Sequence, residues 1–95
     1  MADDALPSPA QGTPLGAARP GFCGRLHMIE VGRDVRGLSA AELETRLVEL
    51  GFVEGAYIEL LHEGTFGGDP IAVRVDNATV ALRRREAMAI LVTCP

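Results

Sequence analysis

The apolar positions of residues 39–50 follow the repeat of an α-helix. Leu43 and Leu47 lie one turn apart on the same predicted face, with mostly polar residues between them. Ser39 stands before this run and Glu42 follows three residues later, which is the spacing of a capping box. The pattern therefore predicts a single short helix with a defined start.

The end of this helix is also encoded in the sequence. Gly51 fits the left-handed position just past a helix end, and Phe52 fits the apolar position that packs back on Leu47 in a Schellman motif. Gly55 then turns the chain into strand-like sequence. We therefore expect the helix to end at residue 50 and a strand to follow within a few residues.

The remaining pattern after residue 21 predicts short strands. Ile71, Val73 and Val75 alternate with polar or small residues in the clearest example, and Asp76-Asn77 is a hairpin signal. The predicted strands cover residues 22–31, 55–61, 70–75, 79–83 and 89–92, with one helical turn at 84–88. Five short strands and one helix favour a small β-barrel, in which closure removes exposed strand edges.

Residues 1–21 lack this periodicity. They contain four prolines, three glycines and many alanines, and almost no large apolar side chain. Such a segment buries too little surface to offset the entropy of ordering, so we expect a flexible tail over 1–21 and a folded domain over 22–95. A Pro-rich ligand for another protein is the alternative interpretation of the tail.

Composition and charge argue against several classes of protein, including general nucleic-acid binders and membrane-spanning proteins. The net charge is -4 and the sequence pI is about 5.0, so general affinity for nucleic acid or anionic membranes is not expected. No apolar run reaches the length of a membrane helix, and Asp3 and Asp4 are unlike the start of a secretory signal. These features predict a cytoplasmic protein, in which Cys23 and Cys94 are reduced thiols.

The titratable residues do not form a recognisable catalytic or metal motif. His27, His62, Cys23 and Cys94 are the candidate ligands, and none has the spacing of a known metal site. No Ser-His-Asp or Cys-His order suggests a nucleophile. We therefore expect no catalytic residue, no metal ligand and no cofactor.

Three sequence pieces resemble one family. They are R-L-V-E-L-G-F-V-E-G at 46–55, G-D-P-I-A-V-R-V at 68–75 and V-A-L-R-R-R-E-A-M-A-I-L-V at 80–92. In this order and spacing, residues 24–92 resemble the FeoA family, the small cytoplasmic partner of the bacterial ferrous iron transporter FeoB. The resemblance implies a mainly β fold with one helix, a small SH3-like five-stranded barrel. It also implies a role in ferrous iron uptake through protein contact, without catalysis.

The candidate partner-binding residues are aromatic or basic. The chain has only four aromatic residues, and aromatic side chains are favoured anchors in interfaces. The candidates are Phe52, Tyr57, Phe66, Arg83, Arg84 and Arg85. Phe52 has packing at the helix end as its alternative role, Phe66 can instead cover the barrel end, and the arginines can form a solvated run in which one pairs with Glu86. The expected partner is the cytosolic part of a FeoB-type transporter. The protein would reach the membrane only through this partner. Formation of a homo-oligomer is the alternative kind of contact.

Two other functions remain as alternatives. SH3-like barrels of the same appearance form the C-terminal domain of iron-dependent repressors, so the chain could be a free regulatory domain. Binding of Pro-rich peptides needs an aromatic-lined groove, for which a chain with one Tyr and no Trp is poorly equipped.

Overall fold

The computed structural model describes residues 12–31 and 39–94, and within them an antiparallel sheet of six strands carries two α-helices. The strand order in the sheet is β1-β6-β2-β3-β4-β5. The elements in chain order are β1 (Thr13–Pro14), a 3₁₀ helix (Leu15–Ala17), β2 (Cys23–Ile29), α1 (Ala40–Glu49), β3 (Tyr57–Glu63), β4 (Ile71–Val75), β5 (Ala78–Leu82), α2 (Arg84–Ala87) and β6 (Ile90–Thr93).

Helix α1 has both of the predicted ends. The Ser39 hydroxyl accepts the Glu42 N–H at 3.1 Å, and the Glu42 carboxylate accepts the Ser39 N–H at 3.0 Å. At the other end Gly51 has a φ of 106°, and the Phe52 N–H donates to the Leu47 carbonyl at 3.0 Å. The prediction of a capping box and a Schellman-type end is confirmed, because local signals fix both termini.

The core is a single cluster to which the sheet and α1 contribute. Ile58 and Leu60 of β3 are fully buried, as their predicted alternation requires. The other large, fully buried side chains are Leu15, Leu43, Leu47, Phe52, Ile71, Val73, Leu82, Ile90 and Val92. The prediction of a mainly β fold with one substantial helix is confirmed, and the sixth strand is the short β1.

Strand β2 departs from strict alternation because it contains a bulge. Leu26 pairs with Val92, but Met28 pairs with Leu91, so two steps along β2 match one step along β6. The bulge reorients the side chains that follow it. Leu26 is 2% exposed whereas Met28 is 42% exposed, although the sequence pattern places them on the same side.

The expectation of a flexible tail over 1–21 is wrong for residues 12–21, of which the last, Gly21, donates its N–H to a carbonyl of β3 at 2.8 Å. Thr13 and Pro14 pair with Val92 and Leu91 of β6, and Leu15 is completely buried. A single buried leucine and a two-residue strand give no periodic signal, so the pattern missed them. Residues 1–11 lie outside the described residues, and the division of the chain into tail and domain stays a prediction for them.

Candidate partner-binding site

The most exposed large apolar side chain in the described part of the chain belongs to Phe66. It is 89% exposed and lies at the tip of the loop 64–70, which joins β3 to β4 and is called the Phe66 loop here. Removing an aromatic ring of this size from water contributes substantially to binding. The Phe66 ring therefore lies in solvent and does not cover the barrel end, and its role as a partner anchor stays a prediction.

The base of the Phe66 loop is tightly closed. The Gly64 N–H donates to the Pro70 carbonyl at 2.9 Å. A Cβ atom on Gly64 would lie 2.1 Å from the Asp69 carbonyl oxygen, so only glycine permits this approach. The loop thus presents Phe66 from a fixed base.

The Arg84 side chain forms hydrogen bonds with residues at this base. Its Nε donates to the Gly68 carbonyl at 2.8 Å, and its Nη2 lies 2.5 Å from Oε1 of Glu63. Its Nη1 donates to the carbonyls of Gly16 at 3.0 Å and Ala18 at 2.7 Å. With these internal bonds the guanidinium has a structural function, and it is not a free cation for a partner.

The two neighbouring arginines differ from Arg84. Both Arg83 and Arg85 are exposed. The backbone N–H of Arg84 donates to Oδ1 of Asp69 at 2.9 Å, which places the start of α2 beside the end of the Phe66 loop. Of the arginine run, only Arg83 and Arg85 are therefore exposed at the surface.

Glu86 has a different partner from the one expected. Its Oε2 lies 2.6 Å from Nη1 of Arg46, and its Oε1 accepts the Arg83 backbone N–H at 3.1 Å. The expectation that a side chain of the arginine run pairs with Glu86 is wrong. Local sequence could not identify Arg46, which is forty residues away.

Phe52 is completely buried. Its backbone closes the end of α1, and its side chain belongs to the core cluster. It presents no surface to a partner. Of its two expected roles, only packing at the helix end agrees with this burial.

Tyr57 lies half-buried on the outer face of the sheet. Its hydroxyl donates to Oε1 of Glu59 at 3.1 Å, and the Arg25 guanidinium carbon is 5.7 Å from the ring centroid. The hydrogen bond to Glu59, followed by one with Cys23 and by desolvation, raises the pKa of Tyr57 above its ordinary value of 10.0. These groups form a polar surface on β2 and β3, in different elements from the Phe66 loop.

The candidate metal ligands do not converge where the structure describes them. Across residues 12–31 and 39–94, no group of three or more His, Cys, Asp and Glu side chains could hold a metal ion. Cys23 and Cys94 are free thiols. Among the helices of these residues, none has both the length and the apolar character needed to cross a membrane.

Sequence reasoning missed the role of Arg84 and the participation of residues 12–18. Arg84 contacts carbonyls 66 and 68 residues earlier in the chain, and no local pattern encodes such a pairing. The available signals were Leu15, an isolated large apolar residue among small ones, and the adjacent Gly16.

Comparison with known proteins identifies the family. The FeoA domain model matches residues 13–94. Iron(II) transport protein A of Clostridium thermocellum is 34% identical with a TM-score of 0.70, and the alignment covers 86% of this chain and 45% of that protein. This chain thus spans about half the length of that relative. No curated protein sequence matches.

Two further solved structures extend the comparison. The FeoA of Stenotrophomonas maltophilia, solved with zinc, is described as a prokaryotic SH3 domain protein and a candidate activating factor for ferrous iron transport. It is 26% identical with a TM-score of 0.67, over 85% of this chain and 89% of that one. A manganese-dependent transcriptional repressor is 28% identical with a TM-score of 0.69, over 99% of this chain and 47% of the repressor. With the family model matching almost the whole described sequence, the chain belongs to the FeoA family.

Proposed function

We propose that this protein is a cytoplasmic accessory factor of ferrous iron uptake that binds the cytosolic part of a FeoB-type transporter through the Phe66 loop. The proposal is supported by family membership and by the description of the S. maltophilia relative as a candidate transport activator. The observation that carries it is the 89% exposure of Phe66 on a loop with a closed base. The protein acts by contact and catalyses no reaction.

Phe66 supplies the anchor of the proposed interface. An exposed aromatic side chain on a preformed loop loses little conformational freedom on binding, so more of its burial contributes to affinity. The complementary surface on the transporter is an apolar pocket large enough for one ring. Phe66 is the hot spot of this interface, and the residues around it exclude water.

Arg83 and Arg85 supply the charge at the rim. Both are exposed and flank Arg84, whose N–H is bound to Asp69 at the end of the loop. We therefore expect acidic groups around the pocket of the transporter. Contacts of exposed charges at a rim affect the association rate and its dependence on salt more than the final affinity.

Co-purification with the isolated cytosolic domain of the cognate FeoB-type transporter tests the proposal. The native chain should be retained, and Phe66→Ala should lower affinity at least about tenfold, as expected for a hot-spot residue. Val53→Ala is the matched control, because Val53 is an exposed apolar residue, 46% accessible, in the turn after α1. Retention of Phe66→Ala at native affinity, or no retention of the native chain, would contradict the proposal.

A cellular measurement complements the binding test. Ferrous iron uptake by a deletion strain should be restored by the native gene and by the Val53→Ala variant, and only weakly by Phe66→Ala. Both variants should be compared at equal protein levels, so that reduced uptake reports lost contact and not lost protein. Uptake that does not depend on this gene would reject a role in transport.

Regulation of transcription is the second candidate function. It is supported by the likeness to the manganese-dependent repressor, of which this chain covers 47%. A free domain of this kind would act on a repressor in trans. Retention of the native chain by a metal-dependent repressor, together with no retention by the transporter's cytosolic domain, would favour this function over the first.

A further inference from the structure

We infer that Arg84 is a positioning residue that couples residues 12–18, called the 12–18 arm here, to the Phe66 loop, so that docking of the arm sets the affinity of the loop for its partner. The effect on affinity rests on the proposed function. The coupling itself is a property of this chain alone, and it can be measured without a partner.

One guanidinium contacts both segments. Nη1 of Arg84 donates to the carbonyls of Gly16 and Ala18 in the arm, at 3.0 and 2.7 Å. Nε donates to the carbonyl of Gly68 in the Phe66 loop at 2.8 Å. The planar guanidinium fixes the directions of its donors relative to one another. A shift of the carbonyls on one side therefore requires either a broken bond or a shift on the other side.

The arm can reach Arg84 only because residue 16 is glycine. A Cβ atom at this position would lie 2.2 Å from the Arg84 carbonyl oxygen and 2.8 Å from the Met88 nitrogen, both of which are backbone atoms. The completely buried Leu15 holds the arm next to this contact. The arm is therefore seated directly against the backbone of α2, and a single methyl group at residue 16 would displace it.

The loop side is held by three bonds from the same residue. Besides the bond to Gly68, Arg84 donates its backbone N–H to Oδ1 of Asp69 at 2.9 Å and pairs with Glu63 at the end of β3. The Arg84 side chain is 22% exposed, so these bonds are partly shielded from water. Loss of the arm would expose the guanidinium and weaken its hold on the Phe66 loop, because water then competes for the same donors.

Amide hydrogen exchange by NMR tests the coupling in both directions. Gly16→Ala alters the arm, and the readout is the Gly64 amide at the base of the loop, which donates to the Pro70 carbonyl. Asp69→Ala alters the loop, and the readout is the Ala18 amide in the arm, which donates to the Leu15 carbonyl. Each distant amide should exchange at least about fivefold faster, which corresponds to a loss of local stability near 1 kcal/mol.

Gly21→Ala is the matched control. Gly21 has a φ of 99°, and a Cβ atom there would meet nothing within 4 Å, so this variant strains the backbone near the arm without touching Arg84. It should leave the Gly64 amide unchanged. Arg84→Lys provides a second variant that keeps the charge, and it should accelerate exchange on both sides, because one ammonium cannot span both sets of carbonyls.

The outcomes separate the coupling from the proposed function. Faster exchange confined to the altered segment in Gly16→Ala and Asp69→Ala would overturn the coupling, whatever the partner does. If coupling is observed and the native chain binds the transporter's cytosolic domain, Gly16→Ala should lower that affinity at least about fivefold, while Gly21→Ala should not. Native affinity of Gly16→Ala would overturn the effect on binding.

Discussion

The carboxylate of Glu86 joins the two helices through Arg46. Nη1 of Arg46 lies 2.6 Å from Oε2 of Glu86, and the other oxygen of Glu86 accepts the Arg83 backbone N–H at the start of α2. The Glu86 side chain is 10% exposed, whereas the Arg46 side chain is 47% exposed. One half of this ion pair is therefore buried and the other half is solvated.

Replacement of Glu86 should destabilise the protein more than replacement of Arg46. Glu86→Ala leaves the Arg83 N–H without its acceptor, which should lower the free energy of unfolding by about 1–3 kcal/mol. Arg46→Ala should cost about 1 kcal/mol, because solvent screens the half-exposed cation but the mostly buried Glu86 carboxylate loses its counter-ion. Urea unfolding followed by circular dichroism measures both values.

Two variants control this comparison. Glu86→Gln keeps an acceptor for the Arg83 N–H, so its free energy of unfolding should lie between those of the native chain and Glu86→Ala. Arg85→Ala removes an exposed arginine of the same helix and should change stability by less than about 0.5 kcal/mol. A larger loss for Arg46→Ala than for Glu86→Ala would mean that the ion pair, and not the capping bond, dominates at this position.

The phenylalanines at 52 and 66 should respond in opposite ways to truncation. Phe52 is completely buried, so Phe52→Ala should lower the free energy of unfolding by about 3–5 kcal/mol through lost burial and a cavity. Phe66 is 89% exposed, and Phe66→Ala should change stability by less than about 0.5 kcal/mol. Thermal unfolding of the two variants checks this difference, and a marked loss in Phe66→Ala would mean that its ring packs on the domain in solution.

The sequence predicted the elements whose signals are local. The ends of α1 are set by Ser39, Glu42 and Gly51, which all lie within or next to the helix they define. The alternation of buried and less buried residues in β4 could likewise be predicted, because successive side chains of a strand point to opposite faces of the sheet. Local hydrogen bonding and side-chain periodicity were sufficient for these parts of the fold.

The remaining features depend on residues far apart in sequence. The bulge between Leu26 and Met28 arises from pairing with β6, and nothing within β2 itself indicates it. The sequence does not distinguish Arg84 from its two neighbours in the run, yet the Arg84 guanidinium donates to carbonyls of both the 12–18 arm and the Phe66 loop. A run of like residues carries no information about which member is internal, because that depends on tertiary geometry.

Substitution of Gly51 should show the cost of its backbone conformation. Gly51 has a φ of 106°, and a Cβ atom there would meet its nearest neighbour, Cγ2 of Val75, at an ordinary 3.6 Å. Gly51→Ala should therefore destabilise by about 1–2 kcal/mol through conformational strain and not through a clash. Val48→Ala, at a 45% exposed position of α1, is the control and should have little effect. Equal stability of native and Gly51→Ala proteins in urea would contradict the Schellman-type end.

Tyr57 offers a spectroscopic prediction, because it is the only tyrosine in the chain. The hydrogen bond to Glu59, assisted by Cys23 and desolvation, raises the pKa of Tyr57 in the native state. The near-ultraviolet absorbance of tyrosinate should therefore develop at higher pH in the native protein than in the chain unfolded in urea. Glu59→Ala should move the native midpoint down toward the unfolded value, and Glu59→Gln, which keeps an acceptor, should move it less.

The same raised pKa determines the sign of the pH dependence of stability. The native state holds the phenolic proton more tightly than the unfolded chain does, so this contribution is fully present below the unfolded pKa of about 10. It is lost as the pH rises through the native pKa. Urea unfolding at alkaline pH should therefore give a steeper loss of stability for the native sequence than for Tyr57→Phe. A native midpoint for tyrosinate at or below that of the unfolded chain would contradict the Tyr57–Glu59 hydrogen bond.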